Sequence, residues 1–122
     1  MNARCLVLGM IFTASAMTGT KEAVSIRVTP AFSFAPANLV IKTSVEPNVD
    51  NRSIEVVADS GSFYRSSTMP LEGDRSARTT LFEFRSVPPG EYQVSATVFG
   101  ADGRPRGMTR AKADVMESGA PR

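Results

Sequence analysis

From Val24 onward the chain alternates apolar with polar residues at period two, and prolines and glycines stop each run. In a strand successive side chains point to opposite faces, so this period marks strands with one buried face. Val24, Ile26 and Val28 alternate with Ser25, Arg27 and Thr29 until Pro30. Leu39, Ile41, Thr43 and Val45 do the same until Pro47, and Ile54, Val56 and Ala58 until Asp59-Ser60-Gly61. A shorter run, "SFYRSS", precedes a polar loop through Gly73-Asp74. Phe82 and Phe84 are then expected to face inward, with Leu81, Glu83 and Arg85 outward. Tyr92, Val94, Ala96 and Val98 follow, and after Asp102-Gly103 a last strand runs to about Val115. Seven short strands separated by turn residues, with no helical period, predict an all-β antiparallel sandwich.

The first residues obey a different rule. "MNARCLVLGMIFTASAM" has one charge, Arg4, then an apolar stretch, then Ala14-Ser15-Ala16. This is the order of a secretory signal with a small-residue cleavage site. Sixteen residues separate Arg4 from Lys21, and the later ones are Thr and Ser. A membrane span needs about 20 mostly apolar residues, so an uncleaved anchor is the second reading. The expected organisation is therefore a signal peptide over 1–16, a linker over 17–23, the sandwich over 24–116 and a flexible tail over 117–122.

Cleavage would remove Cys5, the sole cysteine, and the chain has no histidine. An exported sandwich of this kind has no disulfides and must be held by its core. The same absences leave no Ser-His-Asp set, no thiol nucleophile and no zinc site of the usual His/Cys type. No enzyme and no cofactor are expected. With 14 basic and 12 acidic residues the charge is too balanced to suggest nucleic acid.

The segment Phe82-x-Phe84-x-x-Val87-Pro88-Pro89-Gly90-x-Tyr92-x-Val94-x-Ala96-x-Val98 carries a more specific signal. Gly90 and Tyr92 at the mouth of an alternating strand suggest a tyrosine corner. There the ring packs inward and the hydroxyl bonds a backbone group just upstream. The segment resembles the penultimate strands of bacterial immunoglobulin-like and fibronectin type III-like domains. It is similar as well to the "F-x-x-L-P-P-G-x-Y-x-V" stretch of carboxypeptidase regulatory-like domains. The resemblance implies a seven-stranded immunoglobulin-like sandwich and leaves function open, because such folds host many activities.

Three constellations are candidates for contact. Arg104, Arg106, Met108, Arg110 and Lys112 share one parity on the last strand. Arg104, Arg106, Arg110 and Lys112 would form a basic stripe, either docking an anionic partner or guarding a sheet edge against aggregation. The second use is favoured, since a proline accompanies the charges. Glu46, Asn48, Asp50 and Asn51 gather oxygens at a turn, which calcium could use, but these are common turn residues for local reasons. Of Phe63 and Tyr64, beside Arg65, one ring should face in and the other out, free to meet sugar or protein.

The resulting expectation is an exported, non-catalytic module for protein binding or envelope structure. Its partner would be another envelope protein or an anionic polysaccharide. A carbohydrate-binding accessory module is the alternative, weakened by two Tyr and no Trp. No metal and no transmembrane helix in the mature chain are expected.

Overall fold

A computed structural model describes residues 23–118. The expected signal segment, most of the linker and the end of the tail lie outside the described residues. The strands are β1 (Val24–Thr29), β2 (Phe32–Phe34), β3 (Ala37–Val45), β4 (Asn51–Asp59) and β5 (Tyr64–Pro70). They continue with β6 (Thr79–Val87), β7 (Gly90–Gly100) and β8 (Pro105–Met116). One sheet has the order β1-β3-β6 and the other β2-β8-β7-β4-β5. Among the described residues, no helix is long and apolar enough to cross a membrane.

The two sheets bury the alternating rows read from the sequence. Leu39 and Ile41 of β3 and Phe82 and Phe84 of β6 face Ile54, Val56 and Ala58 of β4 and Val94, Ala96 and Val98 of β7. The Leu, Ile, Val and Phe side chains among these contribute about 1.5–3 kcal/mol each on burial, the two alanines less. Thr43 occupies an inward position on β3, where a hydroxyl needs a partner. It donates to the Thr80 carbonyl at 3.0 Å. Leu81, of the opposite parity, is exposed.

Among the described residues the seven-strand expectation is corrected to eight strands, and the all-antiparallel arrangement to a mixed one. The added strand is β2, "FSF", which pairs parallel with the end of β8. Asp114 N–H donates to the Ala31 carbonyl and Ala35 N–H to the Met116 carbonyl, at 2.9 and 2.8 Å. A three-residue strand between Pro30 and Pro36 is too short for a period to show. Both phenylalanines point outward, so the strand has no buried row of its own.

Along most of its length β8 borders the gap toward β1, which packs against it. A side chain at Gly107 would place its Cβ 2.7 Å from the Ala23 Cβ, so this closure requires a residue without one. On the far side Arg65 spans the gap. Its Nη1 donates to the Arg85 carbonyl of β6 at 2.8 Å while its guanidinium lies 5.1 Å from the Phe63 ring centroid.

Candidate functional site

The basic stripe was expected on β8, and the structure distributes its four residues among three settings. Arg104 lies before the strand, in the β7–β8 turn. Asp102 shapes that turn: its Oδ1 accepts the Arg104 N–H at 3.0 Å, and its Oδ2 is 4.0 Å from the Arg104 Nε.

Arg106 is removed from the stripe by an irregularity of register. Val98 pairs with Gly107, yet Phe99 pairs with Pro105, so Arg106 is the extra residue of a bulge. A bulge re-aims the side chain it inserts. Gly100 has the inward parity of Val98, and a Cβ there would lie 3.2 Å from the Arg106 Cδ. The arginine crosses this glycine to reach Asn51 Oδ1 at 3.2 Å, with Asp50 Oδ2 at 3.8 Å. Buried Asn51 also donates through Nδ2 to the Glu46 carbonyl at 3.0 Å. The oxygens considered for calcium are thus engaged locally: Asn48 Oδ1 accepts the Asp50 N–H at 2.8 Å.

Arg110 and Lys112 keep the outer face of β8, opposite Ser95 and Gln93 of β7. They do not stand in a positive field. Asp114 and Glu91 form the next cross-strand pair, and Gln93 is followed across the sheet by Asp59 of β4. Asp59, Gly61, Glu91, Gln93 and Lys112 line a shallow depression of about 390 Å³. Among the described residues, no group of three or more Asp, Glu, His or Cys could hold a metal ion.

Gly90 and Tyr92 do come together. Tyr92 is 1% exposed, and its hydroxyl donates to the Pro88 carbonyl at 2.8 Å. Its ring meets Phe63 edge-on with centroids 6.2 Å apart. At Gly90 the requirement is space, since a Cβ would lie 3.0 Å from the Ser60 Cβ and 3.3 Å from Tyr92 Cε2. This is a structural arrangement, with nothing exposed to react. Phe63 is the inward aromatic of its pair and Tyr64 the exposed one.

One exposed apolar cluster among the described residues was not singled out in the sequence. Phe32 and Phe34 are 59% and 60% exposed, in edge contact at 5.9 Å, and Met116 opposite Phe34 is 46% exposed. Immediately beyond them Ala35, Pro36, Pro88 and Pro89 help line a groove of about 610 Å³. The available signal was an F-x-F alternation between two prolines, apolar on one side and too short to be a core strand.

No protein-family model matches the sequence, and no curated protein matches it. Similarity appears among solved structures. A superoxide reductase (neelaredoxin) from Ignicoccus hospitalis is 14% identical, with a TM-score of 0.55 over 79% of this chain and 80% of that one. Fibronectin(III)-like modules of Clostridium thermocellum CbhA are 14% identical, with a TM-score of 0.53 over 77% of this chain and 97% of theirs. The CARDB domain of the PF1109 protein from Pyrococcus furiosus is 15% identical, with a TM-score of 0.51 over 80% and 94%. At these identities the likeness is one of fold, and the fold is a β-sandwich.

Proposed function

We propose that the chain is an exported, non-catalytic immunoglobulin-like module that docks another envelope protein on the apolar corner of β2. The observation that carries this reading is the exposure of Phe32, Phe34 and Met116 together on one face. A cluster of large apolar side chains in water is costly, and aromatic and methionine side chains are enriched where proteins meet. The adjoining proline-lined groove offers shape for a side chain of the partner. The near-complete overlap with whole fibronectin(III)-like modules supports a self-contained module. The lack of histidine supports a non-catalytic one.

An anionic polysaccharide is less suited to this surface. Arg110 and Lys112 are flanked by Asp59, Glu91 and Asp114, which would repel such a polymer at close range. The docking reading is tested with a photo-crosslinking residue at Phe32 and, as control, at Lys42 on the other sheet. In cells of the source, position 32 should trap one discrete envelope protein and position 42 none. Equal trapping from both positions, or none from either, would refute it. Export is tested separately by intact mass. The mature chain should begin at Met17, and an exported soluble form retaining residues 1–16 would exclude cleavage there.

A further inference from the structure

Each sheet ends in edge strands, and an unguarded edge is a template for another strand. β2 has three residues between prolines. The free length of β8 carries Pro105, the Arg106 bulge, Arg110 and Lys112. β1 packs against β8, and the edge strand β6 has its Arg85 carbonyl bonded by Arg65 and an exposed Glu83–Arg85 ion pair at 3.5 Å. β5 differs from all of these. It pairs with β4 over seven consecutive positions with no register shift, and its one charge, Arg65, is turned across to β6.

Its outward groups follow from the ladder. Leu71 N–H donates to the Arg52 carbonyl and Ser60 N–H to the Phe63 carbonyl, so these two pairs bracket β5 on the β4 side. Antiparallel pairs alternate between bonded and non-bonded. Residues 65, 67 and 69 therefore bond β4, while Tyr64, Ser66 and Thr68 present free N–H and carbonyl groups at the edge. Pro70 presents a carbonyl alone.

We infer that β5 is a homotypic pairing edge, joining two copies of the chain antiparallel about a two-fold axis at Ser67. Same-face pairing about a two-fold requires partners of equal parity, and the register centred on Ser67 pairs all seven residues of the strand. Tyr64 then lies opposite Pro70 of the second copy, Arg65 opposite Met69, and Ser66 opposite Thr68. No charge meets its like, and the outward groups of each bonded pair coincide. Ser66 and Thr68 exchange bonds on both sides of the axis, and each Tyr64 N–H reaches a Pro70 carbonyl, about six main-chain bonds in all. Proline falls at the end of the strand, where its missing N–H costs one bond per copy. Two five-stranded sheets become one continuous sheet, with the β2 corners at its far ends. A strand-to-strand contact buries less than the roughly 1,200 Å² of a standard interface, so the dimer is reversible and concentration-dependent.

The test is a register-specific crosslink in a chain carrying Cys5→Ser. Ser67→Cys places two thiols on the axis at a non-bonded pair, where Cα atoms are about 4.5 Å apart, within disulfide reach. Ser66→Cys instead faces Thr68 of the second copy. Oxidation should give a disulfide dimer at least about tenfold faster for Ser67→Cys than for Ser66→Cys. Sedimentation of the chain without added cysteine should show a concentration-dependent dimer. Ser66→Pro removes only an outward N–H and should shift it to monomer with its melting midpoint nearly kept. Equal crosslinking rates, a monomer at every concentration, or a dimer indifferent to Ser66→Pro would each overturn the proposal. So would a monomer whose β5 takes up a strand of another protein.

Discussion

Tyr92→Phe should destabilise the sandwich by about 1–3 kcal/mol while leaving surface contacts unchanged, because the loss falls on the hydrogen bond that ties β7 to the β6–β7 connection. The hydroxyl reaches the Pro88 carbonyl at 2.8 Å from a ring that is otherwise enclosed. Phenylalanine keeps the ring and its edge contact with Phe63 but leaves that carbonyl without this partner. Thermal unfolding should show a fall of about 4–8 °C for each kcal/mol lost in a domain of this size. Crosslinking from position 32 should persist below the new midpoint. An unchanged midpoint would mean that the bond contributes nothing, water replacing tyrosine at no cost.

Asn51→Ala is expected to cost about 2 kcal/mol, since it removes two side-chain hydrogen bonds at a nearly closed site. Asn51 joins the turn after β3 to the bulge of β8: Nδ2 donates to the Glu46 carbonyl and Oδ1 accepts from Arg106 Nε. Arg106→Ala should cost less, about 1 kcal/mol, because the Asp50 pair is partly solvated and the bond from Asn51 to Glu46 survives. Chemical denaturation of the two single variants and the double variant measures the link. Residues sharing one network should be non-additive by at least about 0.5 kcal/mol. Strict additivity would show that Arg106 acts alone, and its re-aiming by the bulge would then have no stabilising role.

Much of this protein was legible from local pattern. Inward rows on β3, β4, β6 and β7 follow from period two, because a one-residue slip would turn each whole row into water. Tyr92 was legible too, since the upstream carbonyl of Pro88 lies four residues away on the same piece of chain. Neither feature requires knowledge of which strands are neighbours.

What depended on neighbours was decided only by the tertiary structure. β2 exists because the end of β8 offers it a ladder; alone, "FSF" has no buried row and no length. The basic stripe assumed that parity runs unbroken along β8. Parity is local, but the bulge at Arg106 arises in the pairing with β7 and turns that side chain toward Asn51, 55 residues away in the chain. Of the acidic groups beside Arg110 and Lys112, Asp114 lies on β8 itself, but Asp59 and Glu91 come from strands β4 and β7, which no reading of β8 contains. The alternation determined which residues are inside; the order and register of the strands determined which outside residues stand together, because side chains on a sheet face meet across strands and not along them.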